Sequence, residues 1–224
     1  AIWLGNVDYV SSLELQRSMV EARKSGLLHD SILLLEHPHI FTLGRKADKS
    51  HVLSDKSTLR TFGIEVYETD RGGEVTYHGP GQLVGYPIID VRAAGLGPVT
   101  YVRLLEKSII QTLAELGVTA HLVDGETGVW VGGVPNEKRR FGVNPLGRKI
   151  AAIGVRITDG VSMHGFALNI SSDMSYYQHI VPCGMPGLDI SSITLESSNH
   201  PTIKQVGITA AKILANHLQL QPII

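Results

Sequence analysis

The segment Lys149-Ile150-Ala151-Ala152-Ile153-Gly154-Val155-Arg156-Ile157-Thr158-Asp159-Gly160-Val161-Ser162-Met163-His164-Gly165-Phe166-Ala167-Leu168-Asn169-Ile170 sets the fold class. Two apolar runs flank Asp159-Gly160, a dipeptide suited to the positive φ angles of a two-residue hairpin turn. The pattern predicts antiparallel strands over 149–158 and 161–170. Shorter extended segments over 118–123 and 128–132 come just before. Farther back, Ser31 to Glu36 is an apolar run closed by His37-Pro38 and reads as a buried strand. In Ile64 to Thr69, Ile64 and Val66 flank Glu65, which reads as another strand.

Helical patterns surround these strands. Ser11-Ser12-Leu13-Glu14 has the form of a capping box, followed by Leu13, Leu15, Met19 and Ala22 and a stop near Gly26. After Pro98, Tyr101, Val102, Leu105, Ile109, Leu113 and Leu116 recur at helical spacing up to Gly117. A last helix is expected from Pro201 to Leu218. Strands and flanking helices joined by short turns predict an α+β fold with a mixed or antiparallel sheet. No linker or repeat divides the 224 residues, so a single domain over 1–224 is expected.

Composition narrows the function. Hydrophobic residues make up 43% and charged residues 18%, an ordinary globular balance, and the formal net charge is −1. That balance removes the electrostatic case for broad nucleic-acid binding. The longest apolar runs are too short to span a bilayer. The single cysteine, Cys183, excludes an intrachain disulfide and multi-cysteine metal sites. The compartment expected is the cytoplasm, or an organelle matrix if a transit segment was removed ahead of Ala1.

Two stretches concentrate chemistry. Arg71-Gly72-Gly73-Glu74-Val75-Thr76-Tyr77-His78-Gly79-Pro80-Gly81-Gln82 holds four glycines within ten residues, so backbone can approach a ligand closely. It reads either as a ligand-binding loop or as a sharp reversal between strands. No Gly-Lys-Ser/Thr follows, so it is not a nucleotide phosphate loop, and its glycine spacing does not fit dinucleotide binding. The second stretch is Ile180-Val181-Pro182-Cys183-Gly184-Met185-Pro186-Gly187. Prolines and glycines place Cys183 in an irregular loop, whereas a packing cysteine usually sits inside a strand or helix. A reactive thiolate needs a nearby cation, for which Lys149 and His164 are the candidates. Each also has a bland reading, Lys149 as a solvated strand end and His164 as a structural histidine. His37 and His39 are a weak metal pair without a third ligand.

Several of these motifs together resemble the lipoyl(octanoyl) transferases, also called lipoate–protein ligase B. The resemblance rests on Arg71 to Tyr86, Lys149 to Arg156, His164 to Asn169 and His179 to Gly184. It is supported by His37-Pro38 with Thr42-Leu43-Gly44 and by Glu126-Thr127-Gly128-Val129-Trp130, and it covers roughly Trp3 to Leu195. It implies the catalytic fold shared by biotin and lipoate ligases. It also implies octanoyl transfer from octanoyl-acyl carrier protein to a lysine of a lipoyl domain, the first step of lipoate synthesis. The acceptors implied are the lipoyl domains of 2-oxoacid dehydrogenase complexes and the glycine cleavage H protein. Cys183 and Lys149 fall on the family's catalytic pair. Substrate contacts fall on Arg71, Gly72, Gly73, Glu74, Val75, Thr76, Tyr77 and His78, on Ala152, Ile153 and Gly154, and on Gly165, Phe166 and Ala167, with His164 in support. Neither ATP, metal nor another cofactor is implied, and a monomer is expected.

The residue chemistry is compatible with that scheme. A thiolate at Cys183 exchanges thioesters readily and would hold the octanoyl group until an amine resolves it. Lys149 would stabilise the thiolate and handle protons, while backbone donors near Gly72-Gly73 and Gly165 would meet the oxyanion. Relative to the family pattern, the connection before Lys149 is long and carries Lys138-Arg139-Arg140, either a solvated loop or a docking patch for an acidic carrier protein. Three other readings stay open: an ATP-dependent biotin or lipoate ligase on the same fold, a non-enzymatic acyl- or lipoyl-domain binding module, and a cysteine hydrolase with His164 as base.

Overall fold

The computed structural model describes residues 1–133 and 146–219. Two sheets make up the frame. The larger has seven strands in the order β1-β2-β6-β10-β9-β8-β7. Its members are β1 (Ile2–Asn6), β2 (Ser31–Glu36), β6 (Gln82–Ile88), β7 (Ala120–His121), β8 (Val129–Val131), β9 (Arg148–Thr158) and β10 (Val161–Asn169). Only β1 and β2 run parallel; every other neighbouring pair in this sheet is antiparallel. The smaller sheet has the order β4-β3-β5, from β3 (Ile40–Leu43), β4 (Glu65–Glu68) and β5 (Val75–His78). The α+β class with a mixed, mainly antiparallel sheet is therefore what the chain adopts.

The β9–β10 hairpin forms at the expected dipeptide. Asp159 and Gly160 have φ of 55° and 95°, and Thr158 pairs with Val161 across the turn. Two successive left-handed residues match the right-handed twist of the flanking strands. The extended segment expected over 118–123 shrinks to β7 at Ala120–His121.

Covering both faces of the large sheet explains the unbroken apolar run in β2. Ile32 and Leu34 join one core with Leu83, Phe166 and Leu168, beneath helices α3 (Pro98–Glu115) and α5 (Ile203–His217). Leu33 and Leu35 face the opposite way, with Val84, Tyr86 and Met163, against α1 (Tyr9–Lys24). Alternate side chains of a strand leave opposite faces, so a strand sandwiched by helices must be apolar at every position.

Helix α1 starts earlier than the sequence pattern indicated. Its cap is Asp8, whose side chain accepts from the Ser11 N–H at 2.9 Å, so Ser11 lies inside the first turn and the expected Ser11–Glu14 box does not form. Aspartate one turn upstream offers the same capping geometry and lets Tyr9 enter the core. A full capping box occurs instead at α5, between Thr202 and Gln205. Two short helices, α2 (Lys56–Thr61) and α4 (Ile193–Glu196), complete the set. Among the described residues no helix is long and apolar enough to cross a membrane.

The glycine-rich stretch divides into three parts. Residues 71–74 form a loop, Val75–His78 form β5 of the small sheet, and Gly79-Pro80-Gly81 carries the chain into β6 of the large one. The reversal between two strands is therefore real, and it is where the chain crosses from one sheet to the other. Gly81, at φ 83°, accepts the Ile170 and Ser171 amides, tying the crossing to the end of β10.

Candidate active site

Cys183 sits in a 3₁₀ turn over Pro182–Gly184, itself in a left-handed conformation at φ 57° and ψ 19°. A non-glycine residue there is uncommon and marks a position held by its surroundings. Lys149, near the start of β9, donates from Nζ to Cys183 Sγ at 3.1 Å. The lysine is buried at 5% exposure and the cysteine is half-buried.

Three features aim Lys149. Its backbone is stapled on both sides by the chain following Cys183: the Lys149 N–H donates to Asp189 O at 2.8 Å and the Ser191 N–H donates to Lys149 O at 2.9 Å. Its ammonium lies 4.8 Å from the centre of the Trp130 ring, within cation–π range. Its methylenes pass Gly128, where a Cβ would come within 2.5 Å of Lys149 Cε. The Gly128 amide is in turn held at 2.9 Å by the carboxylate of Glu106, a fully buried residue of α3 paired with Arg103. The Glu126-Thr127-Gly128-Val129-Trp130 motif is thus the channel in which the lysine lies.

Cys183 and Lys149 open onto a cavity of about 330 Å³. Arg71, Gly73, Glu74, Val75, Thr76, His78, Ala152, Ile153, Gly154, His164, Gly165, Phe166 and Ala167 line it, so most of the expected contact residues converge there. The pairs Ala152–Ala167 and Gly154–Gly165 are cross-strand neighbours of β9 and β10, which brings two distant motifs side by side.

Gly72 and Tyr77 are not among the lining residues. The Gly72 N–H donates to Val155 O at 3.1 Å, so this amide is committed to the fold and not free to meet an oxyanion. Tyr77 points away because strand residues alternate: it is fully buried with Phe41, Leu43 and Ile180, and its hydroxyl bonds His39 Nδ1 at 2.9 Å.

Arg71 ties its own loop to Thr42 of β3. Its guanidinium donates to Thr42 O at 2.6 Å, Thr42 Oγ1 at 2.9 Å, Glu74 O at 2.7 Å and Gly72 O at 3.0 Å. Burial holds its pKa below the usual arginine value. A planar fork of donors suits the closing of a glycine-rich loop better than a single ammonium would.

The histidines have distinct duties. His164 lines the cavity at φ 56°, its Nε2 2.7 Å from Asp70 Oδ1, while burial lowers its pKa against the pull of that carboxylate. The cation placed on the thiol is Lys149. His78 lies between Gln82 Oε1 at 2.8 Å and Thr42 Oγ1 at 3.3 Å, and burial pushes its pKa well below the usual histidine range. His37 donates from Nδ1 to Val7 O at 2.6 Å, leaving Nε2 to accept from the Tyr86 hydroxyl at 2.8 Å. His37 and His39 thus engage separate partners and do not form a metal pair. Among the described residues no three His, Cys, Asp or Glu side chains are grouped to hold a metal ion.

Tyr9 and Lys46 line the cavity without any signal in their local sequence, because α1 and the turn after β3 bring them in from a distance. Glu126 and Thr127 also line it, within a motif that the sequence did single out. Lys138, Arg139 and Arg140 lie outside the described residues.

A family model described as the lipoyl protein ligase A/B catalytic domain matches residues 8–214. The chain belongs to this family. An octanoyltransferase of Acidobacterium capsulatum is 46% identical over 220 residues, covering 93% of this chain and 85% of that protein. A mitochondrial octanoyltransferase of Arabidopsis thaliana is 42% identical over 198 residues, covering 88% and 78%. In fold, a crystal structure of lipoate-protein ligase A bound with ATP superposes with a TM-score of 0.72 at 14% identity, over 98% of this chain and 85% of that one. The lipoyl ligase fold expected from the sequence motifs is thereby established.

Proposed function

We infer that this chain is an octanoyltransferase that carries the acyl group on Cys183 as a thioester. The observation that carries the mechanism is the Lys149–Cys183 contact at 3.1 Å, opening onto a cavity in a chain closely related to octanoyltransferases. An ammonium at that distance stabilises a thiolate, the nucleophilic form of cysteine.

In the first half-reaction the Cys183 sulfur attacks the thioester carbonyl of octanoyl-acyl carrier protein. A tetrahedral intermediate forms, and collapse breaks the bond to the carrier's sulfur. Lys149 supplies the proton that the departing thiolate takes up. In the second half-reaction the ε-amine of a lipoyl-domain lysine attacks the Cys183 thioester. Lys149 takes the proton lost by that amine, the amide forms, and the Cys183 thiolate is restored. Charge and protons balance over the cycle, and no acid activation by ATP is needed.

The small residues of β9 and β10 give the octanoyl chain an apolar floor beside the thiol. The closed glycine loop, with Thr76 and His78, forms the opposite wall. The chain works as a single catalytic domain, in a cytoplasm or an organelle matrix where acyl carrier protein and lipoyl-bearing domains occur together.

Intact-mass measurement after incubation with octanoyl-acyl carrier protein tests this directly. The expected result is one octanoyl adduct that hydroxylamine removes and that Cys183→Ser lacks. An adduct that persists in Cys183→Ser would refute the mechanism. Pyrophosphate release with free octanoate and ATP would instead indicate an adenylating ligase, and release of free octanoate without amide formation a hydrolase.

A further inference from the structure

Asn169 closes β10 at 3% exposure, and its amide is shared among three separate parts of the chain. Its Oδ1 accepts from Gln82 Nε2 at 2.9 Å and from the Tyr177 hydroxyl at 3.2 Å. Its Nδ2 donates to Ser191 O at 3.0 Å. A carbonyl can only accept, so the Ser191 contact fixes which end of the amide points where.

Each partner leads to the reactive pair. Tyr177 belongs to the 3₁₀ turn over Met174–His179, and its carbonyl accepts from the Ile180 N–H at 3.3 Å at the entry to the Cys183 turn. Ser191 donates its own N–H to Lys149 O, and Asp189 accepts from Lys149 N–H, so segment 189–191 grips the lysine's backbone. Gln82 accepts from His78 Nδ1, a cavity-lining group. Asn169 and Tyr177 also border a small cleft of about 10 Å³ together with Lys149 and Cys183.

We propose that Asn169 is a positioning residue that sets the distance between Cys183 and Lys149, its Oδ1 anchoring the cysteine's approach through Tyr177 and its Nδ2 anchoring the lysine's strand through Ser191. A polar group that joins two separate segments in a buried site holds both only while all its hydrogen bonds are made. This role rests on the functional reading above, because it matters only if the pair is the acyl-transfer site.

The test compares Asn169→Ala and Tyr177→Phe with the native protein by iodoacetamide alkylation of Cys183 between pH 6 and 10, by steady-state kinetics and by thermal melting. Asn169→Ala is expected to alkylate about tenfold more slowly than the native protein at pH 7. Its kcat should fall about tenfold or more with the KM for the acyl donor within about twofold. Tyr177→Phe keeps its ring against Tyr77 and removes a hydroxyl that donates to Asn169 Oδ1 and accepts from Gln82 Nε2 at 3.2 Å, so a loss of about threefold is expected. If Asn169→Ala fails to fold, Tyr177→Phe decides alone. Alkylation profiles superimposable on the native one would overturn the proposal, as would a kcat loss explained wholly by lower melting temperature. Alkylation needs no octanoyl donor. A native protein that alkylates rapidly at pH 7 but never forms an octanoyl adduct would therefore sink the functional reading and not this one.

Discussion

Lys149 Nζ donates to Cys183 Sγ at 3.1 Å across 34 positions of sequence, and both peptide groups of Lys149 are bonded to the segment that follows the cysteine. Backbone pairing therefore brings the lysine's strand beside the segment after the cysteine, and packing against Trp130 and Gly128 aims the ammonium. Lys149→Met keeps most of the packing against Trp130 and removes the charge. We expect octanoylation of Cys183 in a single turnover to slow about 100-fold, the usual scale for losing a positioned acid–base group. Rapid-quench intact mass would measure it, and a loss below threefold would exclude Lys149 from the chemistry.

Gly165 packs against β6 so closely that a Cβ would stand 2.1 Å from Gly85 O and 2.7 Å from Pro87 Cδ. Backbone cannot yield cheaply there. Gly165→Ala should cost about 2 kcal/mol, in the range for overpacking a core. Urea denaturation would show the midpoint falling, and an unchanged midpoint would mean that β6 and β10 part without penalty.

Arg71 is 7% exposed and closes the 71–74 loop through Thr42, Gly72 and Glu74. Lysine at 71 keeps a charge but not the fork, which leaves buried carbonyls unpaired. Arg71→Lys is expected to lose about 2–3 kcal/mol of stability. With the loop loosened, the KM for the acyl donor should rise. Chemical denaturation and donor titration check both, and a native-like stability would show that the loop closes without the guanidinium.

His37 is fully buried, and burial lowers its pKa to about 4 from an ordinary value of 6.5. Between those values the unfolded chain holds a proton that the folded chain does not. Stability is thus complete above pH 6.5 and declines as pH falls toward 4, by up to about 3 kcal/mol. His78, shifted the same way by burial, adds to the decline. Denaturation curves at pH 7, 6 and 5 read the combined effect of the buried histidines, since the carboxylates stay ionised over most of that window. Equal stability at pH 7 and 5 would contradict a neutral buried His37.

Local patterns carried much of the frame. Asp159-Gly160 announces its hairpin because only a few residues tolerate two consecutive positive φ angles. The apolar stripe after Pro98 announces α3 for an equally local reason. Boundaries were less legible where two good options compete, as between Asp8 and Ser11 for the cap of α1. The glycine-rich stretch hid β5, because flanking glycines mask a four-residue strand whose two faces are both buried.

The residue types alone established that this chain has one thiol, and family motifs pointed to Lys149 as its partner. Tertiary structure settled the rest through long-range pairing. It turned Tyr77 into the small core and Thr76 toward the cavity, committed the Gly72 amide to Val155, and gave the contact with the thiol to Lys149. It also brought in Tyr9 and Lys46 from elsewhere in the chain, and it showed what the side chain of Asn169, the last residue of a motif, is bonded to. The physical reason is that chemistry belongs to individual side chains, whereas the distance between two of them depends on strand register and on where each buried hydrogen bond finds its partner.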